Sequence, residues 1–155
     1  MPGKSKKRTN KTYVLDAYAL LAFLEAEEGG ELVKTLFSTP GVRFYISVVN
    51  LGEMYYIILR EHGKEVADNV EAELNLTSNI LVIDATWERA KMAGELKARG
   101  GISYADCFAA ALAIEKNAPL LTGDREFEQV ADKVRIVWLK KVSLNQFNLV
   151  NNHPS

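Results

Sequence analysis

The chain alternates short apolar runs with longer amphipathic stretches, and this alternation predicts its secondary structure. The apolar runs are rich in β-branched and aromatic residues and predict five strands, at residues 12–15, 42–46, 80–83, 119–121 and 134–139. Stretches with helical spacing predict helices at residues 17–27, 31–37, 48–62, 64–76, 85–99 and 102–116, and a short one at 125–130. Gly-Gly pairs at 29–30 and 100–101 end two of these helices.

Strands that alternate with helices indicate a parallel sheet covered by helices on both faces. We therefore predict an α/β fold with a central, mostly parallel sheet. A chain of 155 residues without internal repeats or a long linker fits one domain. We place that domain at residues 11–147, between a basic, disordered tail at 1–10 and a loose tail at 148–155.

The segment ISYADCFAAALA, at residues 102–113, predicts the central helix. Ser103 is a good N-cap, and Asp106 follows three residues later, in a pattern close to a capping box. The alanines behind it favour helix and let neighbouring elements approach closely. We therefore expect a buried helix that carries one carboxylate near its N-terminal end. A capping role alone would explain one such acid.

Three further acids occupy comparable positions. Asp16 ends the first strand, Glu53 lies in the first turn of the helix after the second strand, and Asp124 follows the fourth strand. In a parallel sheet these positions gather at the edge formed by the carboxyl ends of the strands, where ligands bind. Four carboxylates there would repel one another without a cation, and oxygen ligands suit Mg²⁺ or Mn²⁺. Each acid alone could instead cap a helix or face its dipole.

Composition and charge exclude several kinds of catalytic site. The chain is 48% hydrophobic and 25% charged with a net charge of −1, which is ordinary for a globular protein and demands no polyanionic partner. The single cysteine, Cys107, excludes an internal disulfide and a thiolate zinc site, and is compatible with the reducing cytoplasm where we expect the protein. Neither His62 nor His153 suits a catalytic triad. Without a Gly-rich phosphate loop, the remaining nucleophile is a metal-activated water.

The first ten residues include Lys4, Lys6, Lys7 and Arg8 but no apolar core, so we expect no signal peptide there. They form either a solvated tail or an arm that contacts phosphates. No stretch of the sequence approaches the roughly 18 apolar residues of a transmembrane helix.

Four segments carry the acids in a defined order: VLDAYALLAFL, VVNLGEMYYIILR, ISYADCFAAALA and LLTGDREFEQV. In order and spacing they resemble the four motifs of PIN-domain ribonucleases, and most closely those of VapC-type toxins from toxin–antitoxin pairs. The resemblance implies a three-layer α/β/α sandwich around about five strands and an endoribonuclease that depends on Mg²⁺ or Mn²⁺. It implies that the catalytic and metal-binding residues are Asp16, Glu53, Asp106 and Asp124. It also implies an RNA substrate, a homodimer, and an antitoxin protein that lies across the first helices.

Two positions depart from the family pattern. Ala17 stands where the family often has Ser or Thr, so a hydroxyl that could support the metal is missing. Glu126 stands in for a further acid that some members carry after the fourth motif acid. By position, Ser103 and Thr122 either support the acids or only cap their helices.

Single-stranded or loop RNA would offer bases for stacking and phosphates for ion pairs. Candidate side chains, each of which could equally be structural, are Tyr18, Tyr55, Tyr56, Tyr104, Arg60, Arg89, Lys97, Arg99 and Arg125. One alternative function is a PIN-fold module that binds RNA or protein without cleaving RNA. The four intact acids argue against a site that has lost its catalytic function. Another is a phosphohydrolase with an aspartyl-phosphate intermediate, which usually needs a second Asp at position 18, where this chain has tyrosine.

Overall fold

A five-stranded parallel sheet forms the centre of the fold in the computed structural model, which describes residues 11–25 and 29–139. The strands are β1 (Lys11–Leu15), β2 (Val42–Ser47), β3 (Ile80–Ile83), β4 (Leu120–Thr122) and β5 (Ile136–Trp138). Their order across the sheet is β3-β2-β1-β4-β5, and every neighbouring pair is parallel. Helices pack on both faces, so the predicted α/β/α sandwich is confirmed.

Within the described ranges, six α-helices and one 3₁₀ helix connect the strands. They are α1 (Ala17–Leu24), α2 (Gly30–Phe37), α3 (Val48–His62), α4 (Lys64–Leu76), α5 (Trp87–Ala98), α6 (Tyr104–Lys116) and the 3₁₀ helix Arg125–Val130. These elements follow the predicted ones with small shifts at their ends. Helix α5 begins later than predicted because the Thr86 hydroxyl caps it, accepting a hydrogen bond from the Arg89 backbone N–H (3.3 Å). None of these described helices is long and apolar enough to cross a membrane.

Some predictions fall outside the described residues. They concern the basic tail at 1–10, the last residues of the first predicted helix, and the chain from residue 140 onward, including the tail at 148–155. The domain boundaries at 11 and 147 therefore stay predictions.

Neighbouring strand residues point to opposite faces of the sheet, and this divides the interior into two cores. On one face, Val14 and Leu120 pack under α5 and the alanine-rich α6. On the other face, Leu15 and Leu121 pack under α1 and α3. The small side chains of α6 explain how this helix is buried along residues 106–113, as its composition predicted. Cys107 is a free, buried thiol within it.

The parallel register brings the strand ends together at one edge. Leu15, the last residue of β1, pairs with Ile46 of β2 on one side and with Leu121 of β4 on the other. Asp16 follows Leu15 and Thr122 follows Leu121, so these two residues lie next to each other on neighbouring strands. This edge is where the acids converge.

Candidate functional site

Asp16 joins β1 to α1 and is almost completely buried, with 2% of its surface exposed. It is the N-cap of α1, because its Oδ1 accepts a hydrogen bond from the Ala19 backbone N–H (2.8 Å). Its Oδ2 accepts a second bond from the Thr122 hydroxyl. Burial raises the pKa of Asp16 from 3.8 to about 7, and the charges of Asp124 and Glu53 raise it as well, against the two hydrogen bonds. Capping and a functional role are therefore compatible at this residue.

The Thr122 hydroxyl connects Asp16 to the loop after β4. It donates to Asp16 Oδ2 and accepts a hydrogen bond from the Asp124 backbone N–H (3.0 Å), and the side chain is fully buried. The next residue, Gly123, lies against the Tyr18 ring, where an added Cβ would stand 2.3 Å from a ring carbon. Both contacts fix the path of the loop that carries Asp124.

Asp106, Asp124 and Glu126 each bring one carboxylate oxygen to within 4.8 Å of the others. Asp124 caps the 3₁₀ helix, where its Oδ1 accepts a hydrogen bond from the Glu126 backbone N–H (3.0 Å). Glu126 Oε2 in turn accepts a long hydrogen bond from the Ser103 backbone N–H (3.4 Å). These bonds join the start of the 3₁₀ helix to the start of α6, and we call the three residues the acidic trio.

Asp106 lies in the first turn of α6, as the sequence predicted, and only 7% of its surface is exposed. The Ser103 hydroxyl caps the helix and accepts a hydrogen bond from the Asp106 backbone N–H (3.1 Å). Burial, together with the charges of Asp124 and Asp16, raises the pKa of Asp106 from 3.8 to about 8. The protonated form is favoured there because the ionised form would be desolvated among other acids.

Glu53 lies one turn further along α3 than the sequence predicted. Helix α3 starts at Val48 with Ser47 as its N-cap, and no acid lies in its first turn. The first-turn assignment was wrong because the helix begins at Val48, as predicted, so that its first turn ends before residue 53. Burial, and then the charge of Asp124, raises the pKa of Glu53. Glu53 is therefore close enough for electrostatic interaction with Asp124, but it does not belong to the acidic trio.

The site is built from carboxyl groups, and the described residues supply no basic partner for them. Among residues 11–25 and 29–139, no Lys or Arg forms an ion pair with Asp16, Glu53 or any member of the acidic trio. Carboxylate oxygens make up the whole donor set, and no cysteine or histidine lies among these five residues. Such a set fits a hard divalent cation such as Mg²⁺ or Mn²⁺, which would relieve the mutual repulsion.

The sequence named Glu126 only as a substitute for a further family acid, whereas the structure brings its carboxylate to within 4.8 Å of those of Asp106 and Asp124. The signal in the sequence was its position two residues after Asp124, at the start of a short helix. That spacing lets Asp124 bind the Glu126 backbone while the Glu126 side chain reaches back toward α6.

Most of the basic and aromatic candidates have structural partners. The contacts are Arg89 with Glu115, Lys97 with the Ile102 carbonyl, Arg99 with Asp132, Arg125 with Glu128 and the Trp138 ring, Arg60 with the Tyr56 ring, and Tyr55 with Asp68. Tyr104 combines a 45% exposed surface with a hydroxyl that donates to the Ala90 carbonyl (3.2 Å). Its ring packs edge-on against Phe108, and it is the exposed aromatic candidate on α6, the helix that carries Asp106.

The sequence was compared with models of known protein families. Residues 13–133 match the sequence profile of the PIN domain. The match covers more than half of the chain and contains all five acids. The chain therefore belongs to the PIN domain family. Among curated protein sequences, none matches it.

Solved structures with the same fold include toxin–antitoxin proteins. VapC20 from Mycobacterium tuberculosis, described as a sarcin–ricin loop cleaving toxin, is 20% identical, with a TM-score of 0.65 over 79% of this chain and 96% of that one. VapBC2 from Rickettsia felis, bound to a promoter DNA fragment, is 21% identical, with a TM-score of 0.63 over 83% and 99%. VapBC-1 from nontypeable Haemophilus influenzae is 22% identical, with a TM-score of 0.62 over 84% and 99%. At these identities the likeness establishes the fold.

Proposed function

We propose that this protein is an endoribonuclease that depends on Mg²⁺ or Mn²⁺ and acts as the toxin of a toxin–antitoxin pair. The observation that carries the proposal is the acidic trio, with Asp16 and Glu53 near enough for their pKa values to be raised by the charge of Asp124. No Lys or Arg of the described residues forms an ion pair with any of these five acids. Membership of the PIN domain family supports a nuclease. The fold shared with a toxin described as cleaving the sarcin–ricin loop supports RNA as the substrate.

The acidic trio would hold the cation, with Asp16 and Glu53 close enough to complete the set of acids named from the sequence. A bound divalent cation supplies Lewis-acid chemistry, because it lowers the pKa of a coordinated water and offsets charge on the phosphate. Asp16 and Asp106 must lose their protons to act as ligands, since their pKa values are raised to about 7 and about 8. We therefore expect cation affinity to rise between pH 6 and pH 8.5.

The remaining residues position these acids. Thr122 holds Asp16 and the Asp124 loop together, and Ser103 fixes the first turn of α6 below Asp106. Tyr104 would present its exposed face to a base of single-stranded RNA. We further propose that the protein binds a cognate antitoxin, because solved structures of the same fold include toxin–antitoxin complexes. We also propose that it forms a homodimer in the cytoplasm, as the family resemblance implies.

A cleavage assay with a 5′-labelled single-stranded RNA of mixed sequence tests the proposal. We expect cleavage with Mg²⁺ or Mn²⁺, none in EDTA, and recovery when the metal is restored. Asp124→Asn should abolish cleavage. Asp84→Asn is the matched control, because Asp84 is an exposed acid that also follows a strand but lies outside the acidic trio. RNA binding without cleavage under every metal condition would favour the non-cleaving module, and full cleavage in EDTA would exclude metal dependence.

A further inference from the structure

Asn50 is a fully buried polar residue that the proposed chemistry does not use. It lies in the first turn of α3 with 0% of its surface exposed. Its Nδ2 donates a hydrogen bond to the Ala105 backbone carbonyl (3.0 Å), in the first turn of α6. Its Oδ1 is buried and accepts no hydrogen bond from the described residues. One amide thus joins the two helices that carry Glu53 and Asp106.

The orientation of this amide follows from its partner. A backbone carbonyl can only accept, so Nδ2 must face Ala105, and a flipped amide would place two acceptor oxygens against each other. A half-satisfied buried amide is a poor way to stabilise a core, because the unpaired acceptor carries a desolvation cost that an apolar side chain would avoid. Stability therefore does not explain an asparagine at this position, and its hydrogen bond is better explained by the residues that it positions.

Two acids lie next to the ends of this bond. Glu53 is three residues after Asn50 on α3, which places both on the same side of the helix. Asp106 directly follows Ala105 on α6 and is itself held by the Ser103 cap. The α6 end is thus anchored independently, whereas Glu53 has no hydrogen bond of its own among the described contacts. The distance of the Glu53 carboxylate from the acidic trio therefore depends on how α3 packs against α6.

We propose that Asn50 is a positioning residue of the acidic site, which fixes the first turns of α3 on α6 and so holds Glu53 where it can contribute to a divalent cation. This inference rests on the proposed metal-dependent function. Groups that orient metal ligands commonly contribute about 10–100-fold to affinity or activity. The expected consequence of losing the bond is therefore weaker cation binding in a protein that is still folded.

The test is a calorimetric titration of the full-length protein with Mn²⁺, at a pH where the wild type binds it. Asn50→Leu removes the amide and keeps the branched shape of the side chain, and we expect a Kd for Mn²⁺ about 10-fold higher or more. Its melting temperature without metal should stay close to that of the wild type. If the larger apolar group prevents folding, Asn50→Ala removes the same bond without added bulk and should give the same loss of affinity.

Asn79→Leu is the matched control. Asn79 also donates from Nδ2 to backbone carbonyls of other elements, those of Phe37 (3.3 Å) and Val42 (3.5 Å), but it lies just before β3, at the opposite edge of the sheet. We expect this variant to bind Mn²⁺ with wild-type affinity. A general loss of packing would weaken binding in both variants, whereas positioning of Glu53 affects only the variant at residue 50.

A double-mutant cycle with Glu53→Gln tests the route of the effect. If Asn50 acts through Glu53, Asn50→Leu should reduce Mn²⁺ affinity much less in the Glu53→Gln background than in the wild type. Equal effects in both backgrounds would overturn the proposal, as would wild-type affinity in Asn50→Leu or failure of both Asn50 variants to fold. A wild-type protein that binds no Mn²⁺ would refute both the metal site and the role of Asn50. Normal Mn²⁺ binding by the wild type with no effect of the Asn50 variants would refute the role of Asn50 alone.

Discussion

The Thr122 hydroxyl donates a hydrogen bond to Asp16 and thereby joins the end of β4 to the start of α1. The same oxygen accepts the Asp124 backbone N–H, so one buried hydroxyl holds two of the acids that define the site. The parallel pairing of Leu15 with Leu121 makes this contact possible, because it places residues 16 and 122 side by side. The arrangement of the acids is thus a direct consequence of strand register.

Replacement of this hydroxyl should weaken both the fold and the site. Thr122→Val keeps the shape of the side chain but leaves the Asp124 N–H and Asp16 Oδ2 without their partner. We expect a loss of about 1–3 kcal/mol in the free energy of unfolding, which is typical of unpaired buried polar groups. Urea denaturation at pH 7 measures it, with Thr39→Val as the control, because the Thr39 hydroxyl bonds a helix carbonyl at an exposed position. Equal stability of the two variants would contradict a structural role for the buried hydroxyl.

The stability of the metal-free protein should fall as the pH rises. In the folded state the pKa values of Asp16 and Asp106 are raised from 3.8 to about 7 and about 8. Between pH 4 and pH 8 the folded state therefore binds more protons at these residues than the unfolded state, and the free energy of unfolding decreases with pH. Below this window both states are protonated at these residues, and above it both are ionised, so this contribution to the slope disappears.

Denaturation curves in EDTA at intervals from pH 5 to pH 8.5 measure this dependence. Saturating Mg²⁺ should flatten it, because a ligand that binds only the folded state adds about 2.7 kcal/mol of stability at 100 times its Kd, and binding strengthens as the carboxyls ionise. Stability that increases with pH over this window in the metal-free protein would show that the two carboxyls are not held in their protonated forms.

Alternation of strands and helices was sufficient to predict the fold, because each apolar run is short and each helix has clear breaking residues around it. It also predicted that Asp16 and Asp124 would lie at the carboxyl edge, because both come just after parallel strands. The grouping within the site could not be predicted in this way. Which acids meet depends on the start of each helix and on side-chain direction. Glu53 lies in the second turn of α3 and outside the acidic trio, and the start of the 3₁₀ helix brings Glu126 into the trio.

The predicted homodimer requires apolar surface that the monomer leaves uncovered. On α3, Met54 and Ile58 are buried in the core, while Tyr56 and Leu59 are 51% and 39% exposed. We expect a dimer by light scattering at micromolar concentration, and a shift toward monomer in Leu59→Lys, because a charge there would be buried without a partner. Leu76→Lys, at the exposed end of α4, serves as the control. A wild-type protein that is monomeric at this concentration would refute the prediction.

Asp106→Asn should separate the stability of the protein from its activity. The amide keeps the shape of the side chain and removes a buried charge that Asp124 and Asp16 oppose. We expect the metal-free variant to be more stable than the wild type at pH 8, by about 1 kcal/mol or more, which corresponds to a rise in melting temperature on the order of 4 °C. RNA cleavage should fall by about 100-fold or more, because the acidic trio loses one carboxylate.

The pH dependence of this gain distinguishes electrostatic relief from other causes. At pH 5 the Asp106 carboxyl is already protonated in the folded wild type, so its repulsion is absent and the stability gain should be small. Asp84→Asn changes an exposed acid in the same way and should alter the melting temperature little at either pH. If Asp106 only caps α6, its replacement would instead destabilise the protein at pH 8 and leave cleavage intact. Melting curves at both pH values, run in EDTA beside a cleavage assay with Mn²⁺, decide between these roles.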